Sequence, residues 1–278
     1  MNLAQARVVL RPRSTPEVFD LALRFTVAAR GVLLRLALIT IVPALGLLLA
    51  LYELDVVYEP HELWLVAALL TPWIVGVHVI ASSRLLFESK PPLRAILGHF
   101  LRRVVVFTVA SAIVVGLIAF GALFAVGAPI FAALFLFYIE AALLEGQGPF
   151  AALGRARRLL RYRFGAALLY VLGLAAAILT FVAAAESLGH AIVRFVLQLG
   201  QPFGDLEGDG ISAFSILGFF LALPYVAAVH FLAYIDVRTR QDGWDLQVRF
   251  MGLAAGDELG GDADASASQA ALRQEGAR

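Results

Sequence analysis

The chain has 278 residues, 61% of them apolar and 15% charged, with a mean hydropathy of +0.85 and a net charge of +1. Soluble domains run at about 45–50% apolar and about 25% charged, so this composition excludes an ordinary soluble domain and points to membrane-crossing helices. There is no cysteine, which excludes disulfides, thiolate metal sites, cysteine nucleophiles and palmitoylation.

Arg7, Arg11, Arg13, Arg24 and Arg30, with Glu17 and Asp20, precede the first apolar run. A signal peptide places its apolar core close behind a short basic start, so that run reads as an uncleaved span. Within residues 1–30, Ser14 and Glu17 have capping-box spacing around Pro16, and Val18, Leu21, Ala22 and Phe25 follow at i, i+3, i+4, i+7. This predicts a short helix lying at the membrane surface.

Crossing a ~30 Å hydrocarbon core takes about 20 helical residues. Six stretches qualify: Val32–Leu51, Leu63–Ala81, Val104–Val126, Ala128–Leu144, Phe164–Ala185 and Ile211–Ile235. The third and fourth are separated only by the neighbourhood of Gly127 and Pro129. Read as one helix they would reach ~60 Å, twice the membrane, so a hairpin is expected. The expected fold is all-α: a six-helix integral membrane domain over residues 31–255, ending in a disordered tail over 256–278 that is rich in Gly, Asp, Ala and Ser.

Topology follows from the basic residues. The loop after the first span holds Glu53, Asp55, Glu59, His61 and Glu62 and no Lys or Arg. The next holds Arg84, Lys90, Arg94, Arg102 and Arg103; the one after the fourth span holds Arg155, Arg157, Arg158, Arg161 and Arg163. Arg194 is alone after the fifth span, and Arg238, Arg240 and Arg249 follow the sixth. By the positive-inside rule this alternation predicts both termini in the cytoplasm. The scarcity of lysine, with Lys90 the only one, and the abundance of Ala, Leu and Gly suggest a GC-rich bacterium and hence its inner membrane.

Each arginine-rich segment opens at proline and carries an apolar stripe. Leu93, Ile96, Leu97 and Phe100 follow Pro91 and Pro92, and Ala152, Leu153, Ala156 and Leu160 follow Pro149. Three units of surface helix plus helical hairpin would account for most of the chain; basic amphipathic linkers between hairpins are the plainer reading. A further stripe, Leu188, Ile192, Phe195, Val196 and Leu199, predicts a helix lying on the outer surface.

Ionisable residues inside spans are candidates for function because burying charge in lipid costs a few kcal/mol or more. Glu140, His78 and His230 fall at comparable depth toward the arginine-rich side. They are grouped here as a polar intramembrane site for a proton, a cation or a headgroup, against the alternative that each makes a lone structural hydrogen bond. Two imidazoles and a carboxylate could also ligate zinc, but no His-x-x-x-His spacing supports it, and neither a metal nor a cofactor is assigned. Arg102, Arg103, Arg155, Arg158 and Arg161 are expected to meet anionic lipid headgroups rather than nucleic acid. Pro43, Pro72, Pro129 and Pro224 lie in or at the edges of spans, and the pairs Gly46/Ala50, Ala112/Gly116 and Gly121/Ala125 have close-packing spacing. No Gly-x-Ser-x-Gly, P-loop, His-Glu-x-x-His or Gly-x-Gly-x-x-Gly occurs, so no catalytic residue is assigned.

Three stretches carry a family resemblance: Leu10-Arg11-Pro12-Arg13-Ser14 leading into Glu17–Phe25; Leu144-Glu145-Gly146 with Pro149–Leu153 and the basic helix Arg155–Phe164; and Tyr234-x-Asp236-x-Arg238 followed by Gly243-x-Asp245-Leu246. They resemble a bacterial family of six-span proteins similar to the membrane domain attached to some glycerophosphodiester phosphodiesterases. Relatives often carry Ser at the position of Ala156. No stretch outside the spans is long enough for the phosphodiesterase barrel, so the resemblance implies a stand-alone membrane domain. Asp236 and Arg238, at the exit of the last span, are expected to form a structural latch. The leading expectation is a non-enzymatic scaffold or accessory subunit engaging lipid, a partner protein or a second copy through its cytoplasmic face. A small transporter or channel for a lipid or amphiphile is the alternative, and a membrane enzyme the third reading.

Overall fold

The computed structural model describes residues 13–57, 59–124, 126–199 and 204–241, the side chain of Gln241 excepted. Among them there is no strand. The helices in chain order are α1 (Thr15–Ala28), α2 (Arg30–Glu53), α3 (Pro60–Leu85), α4 (Leu93–Ala122), α5 (Gly127–Leu134), α6 (Tyr138–Leu143), α7 (Pro149–Leu160), α8 (Phe164–Ala191), α9 (Leu206–Asp209) and α10 (Ala213–Gln241). Five are long and apolar enough to cross a membrane: α2, α3, α4, α8 with its continuation to Leu197, and α10. Helices satisfy their own backbone hydrogen bonds, which is the condition for a chain to enter lipid. Their outward faces are apolar: Leu38 is 65% exposed, Val105 74% and Leu179 67%. In water that much exposed hydrocarbon would be a liability; against acyl chains it is not.

The ends of these helices obey local chemistry. The Ser14 amide donates to Glu17 Oε2 at 2.8 Å and the Glu59 amide to Glu62 Oε2 at 3.1 Å, each satisfying a donor that the first helical turn cannot. Pro16 and Pro60 sit in first turns, where a missing amide costs nothing. On α1, Val18 and Ala22 are buried while Leu23 and Val27 face outward, so the expected stripe is real but narrow. On α7, Ala152, Leu153, Ala156, Leu159 and Leu160 are buried, with Arg157 and Arg158 on the open side.

Three expectations change. The second surface helix is not a separate element: α4 runs unbroken from Leu93 to Ala122, about 45 Å. No proline stands between Phe100 and Val104, and an existing helix extends more readily than a new one nucleates. The outer-surface helix is likewise continuous with α8, which passes through a π-helical turn at Ile192–Leu197 and stops at Gln198 in a left-handed conformation. The fourth stretch is not one helix but two, α5 and α6, interrupted at Phe135–Phe137. Over the interruption the Leu136 amide donates to Ala133 O and the Tyr138 amide to Phe135 O. These are i→i+3 bonds, tighter than α-helical ones, and such a stretch inside a helix is where hinges occur.

The hairpin between α4 and α5 is present, and two glycines make it. A Cβ on Gly127 would lie 2.3 Å from Gly121 O, so the two backbones touch where no side chain fits. Ala125, paired with Gly121 by spacing, lies outside the described residues. Gly116 has open space around it and Gly46 likewise, so those two small-residue pairs do not mediate packing within the chain.

The chain divides into two units, residues 13–234 in one and the first twelve residues with 235 onward in the other. Within the first, α6 packs on α3, α4 and α7, and α5 packs on α4 and α8. Gly76 of α3 admits Leu143, Phe107 and Phe100 to within 3.0–3.2 Å of where a Cβ would be. Phe107 stacks on Tyr138 and meets Phe100 edge-on. From Ala222 to Val229 every residue of α10 is buried, which makes α10 the central helix of this unit. Of the second unit, residues 235–241 are described. There Asp236 accepts a hydrogen bond from Arg240 Nε at 3.0 Å, one turn along the same helix, and Arg238 is half-buried. The tail over 256–278 and the motif around Asp245 lie outside the described residues.

Candidate functional site

Glu140 is the third residue of α6, just past the interruption. It is completely buried, and neither carboxylate oxygen has a hydrogen-bond partner. Its one ionic contact among the described residues is His230 of α10, whose Nδ1 stands 3.6 Å from Oε1. That nitrogen is itself buried and otherwise unpartnered. The structure thus brings together two of the three residues grouped by sequence.

His78 is also fully buried, on α3, which packs against α6. Its Nδ1 lies 2.8 Å from Ile74 O, an arrangement in which Nδ1 carries the proton and donates. Nε2 has no partner at hydrogen-bond geometry among the described residues, with the Leu33 backbone nearby, and His78 forms no ion pair with Glu140 there. One turn further on, Ser82 Oγ is buried and unpartnered as well. Serines in helices usually bond the carbonyl four residues back, so this hydroxyl is available for other chemistry. Its only sequence signal is the i, i+4 spacing from His78.

A buried polar atom without a partner costs about 1–3 kcal/mol, and more when charged. Five such atoms are contributed by Glu140, His230, His78 and Ser82. Chemically, a carboxylate beside an imidazole can hold one shared proton or none, or can meet a small cation with the carboxylate. The low-dielectric surroundings make each of these states energetically distinct.

Below this centre lies a layer of satisfied polar groups. Arg155 of α7 pairs with Glu145 at 2.9 Å, and Tyr234 of α10 donates to the same carboxylate at 2.6 Å. The last carbonyls of α6 have no intrahelical donor and are met from α4: Arg103 donates to Ala142 O at 3.3 Å, and His99 Nε2 lies 2.9 Å from Leu143 O. Arg103 also reaches Gln147 O at 3.5 Å, across Gly146 in a left-handed turn where a Cβ would meet the guanidinium at 2.7 Å. Arg103 and Arg155, expected to face headgroups, are therefore engaged by the protein. His99 and Glu145 were missed as site residues because their role depends on where α6 ends. Arg102 donates to Gly98 O on its own helix. Arg158 and Arg161 instead border an open cavity of about 490 Å³.

A second polar cluster sits at the other end of α8. Glu186 accepts from Ser212 Oγ, from the Leu206 amide at 2.9 Å and from His190 Nε2 at 3.1 Å. Ligand atoms of Glu186, His190 and Asp205 lie within 4.8 Å of one another. The Glu186 oxygens are already committed to protein donors, so the cluster acts as a lock that ties α8 to the start of α10. Near it, a largely apolar cavity of about 800 Å³ opens between Leu45, Leu48 and Tyr52 of α2 and Asp209, Ser212 and Ile216.

Compared with known protein families, with characterised proteins and with solved structures, the chain matches none.

Proposed function

We propose that the protein is a small transporter for an amphiphile, built around the buried Glu140–His230 pair. The carrying observation is that pair itself: a fully buried carboxylate with no hydrogen bond, 3.6 Å from an imidazole, at the restart of an interrupted helix. Interrupted helices bearing ionisable groups are how membrane transporters build binding sites. The two cavities favour an amphiphile, since the ~800 Å³ and ~490 Å³ spaces fall at opposite ends of the helices and each combines apolar walls with polar or charged groups.

In this reading α5–α6 is a sixth crossing, the arginine-rich ends of α4, α7 and α10 face the cytoplasm, and the membrane is a bacterial inner membrane. The three sequence stretches that resemble the phosphodiesterase-linked membrane domain support a stand-alone membrane module and carry no activity with them. The test is translocation of fluorescent phosphatidylglycerol in proteoliposomes, read by quenching from outside. The wild type is expected to expose the inner-leaflet probe. Glu140→Gln, which keeps size and removes the carboxyl group, is expected to slow exposure at least tenfold. Equal rates in the two proteins would remove the basis for the proposal.

The scaffold reading is favoured by a different observation: unpaired guanidinium groups on the arginine-rich face of α7. It expects a specific partner to co-purify from gentle detergent, and it expects Glu140→Gln to be silent.

A further inference from the structure

The arginines of this chain divide into two kinds. Arg103, Arg155 and Arg240 are held by carbonyls or carboxylates of the protein, and exposed Arg24 pairs with Asp20 at 3.0 Å. Among the described residues the guanidinium groups of Arg157, Arg158 and Arg161 meet no hydrogen-bond or ion-pair partner, and Arg161 lies over the Tyr162 ring at 5.3 Å. All three border the cavity of about 490 Å³, and none of the described residues lining it is acidic. Its remaining wall is apolar, made chiefly by Leu134, Leu160 and Phe164. Phe164 begins the membrane-crossing helix α8, so the apolar side of the cavity leads toward the acyl region while the charged side faces water.

From this geometry we infer that the cavity is a binding site for an anionic phospholipid. The phosphate sits among Arg157, Arg158 and Arg161, and the first acyl carbons run against Leu134, Leu160 and Phe164. Guanidinium groups bind phosphate through paired N–H donors, and three of them without a competing carboxylate discriminate against a zwitterionic headgroup. A free phosphate would use only the charged half of the cavity. The apolar half selects the lipid. The site rests on neither functional reading, and it holds whether or not the protein transports anything. Leu134 is the last residue of α5, so a bound lipid would touch the helix at the edge of its interruption.

Gly154 supplies an uncharged test. It lines the cavity, and a Cβ there meets no atom within 4 Å, so a larger side chain grows into the cavity without disturbing the fold. The experiment is native mass spectrometry of the full chain in detergent with added phosphatidylglycerol, phosphatidylcholine or glycerol 3-phosphate. A single phosphatidylglycerol adduct is expected, with phosphatidylcholine bound far more weakly and glycerol 3-phosphate failing to compete. At about 1 kcal/mol per surface charge, or about fivefold each, R157Q/R158Q/R161Q should weaken the adduct on the order of 100-fold. Gly154→Leu should weaken it at least tenfold with all charges kept, while Arg24→Gln leaves it unchanged. Size-exclusion profiles confirm that each variant is folded. The site is overturned if Gly154→Leu binds normally, if Arg24→Gln costs as much as one cavity arginine, or if glycerol 3-phosphate displaces the lipid.

Discussion

Glu140 keeps neither carboxylate oxygen hydrogen-bonded although no part of it reaches the surface. A residue retained only for stability would not be placed this way, since an apolar side chain of similar volume avoids the desolvation cost altogether. Glu140→Met is therefore expected to stabilise the detergent-solubilised protein by about 1–3 kcal/mol, measured by thermal unfolding, while abolishing probe translocation. A variant that lost stability instead would assign the pair a purely structural role. Sequence reading found Glu140 and His230 because charge within an apolar run is conspicuous in a one-dimensional string. It also grouped His78 with them by depth alone, and the ring turns instead to a carbonyl of its own helix. Depth along a helix is legible from residue count; which face a side chain shares is a matter of how neighbouring helices rotate.

The long helices were legible because a run of about 20 apolar residues has few other uses. The α4–α5 hairpin followed from length, and its tightness rests on Gly121 and Gly127. Gly127→Ala should destabilise the protein by about 1–3 kcal/mol, because the new Cβ collides with backbone. Gly116→Ala on the same helix, where space is open, should stabilise by about 0.5–1 kcal/mol through helix propensity. Paired thermal unfolding curves test both, and equal shifts would show that the hairpin contact is not a packing constraint. The interruption at Phe135–Phe137 had no sequence signal, since neither proline nor glycine stands there. Phe135, Leu136 and Phe137 are all buried, so the break lies inside the packed interior, where neighbouring helices and not local residue type set the backbone path. The merging of the second surface helix into α4 escaped notice for the converse reason. Amphipathic and uniformly apolar segments differ in pattern, yet nothing between them stops the hydrogen-bond ladder.

For the molecule as a whole, the segregation of arginine is the most informative pattern in the sequence. It predicts that positions near Arg94 and Arg158 share a compartment and that His61 lies in the other. The absence of cysteine makes this directly measurable, because Arg94→Cys, Arg158→Cys and His61→Cys each introduce a unique thiol. An impermeant maleimide applied to intact cells should label only the His61→Cys protein. Labelling of Arg94→Cys or Arg158→Cys would reverse the orientation or the number of crossings.

The arrangement of α5 and α6 bears on how the two halves of that stretch belong to the rest of the protein. Six residues are too few to hold a helix by their own bonds, and the far end of α6 is gripped by His99 and Arg103 from α4. By contrast α5 leans on α8 and on the opposite end of α4. The short linker between them is thus a joint whose two arms are bolted to different places. Amide hydrogens at Leu136 and Tyr138 should trade with deuterium sooner than those of either arm, and any tilt of α8 would reach Glu140 through a pivot rather than a rod.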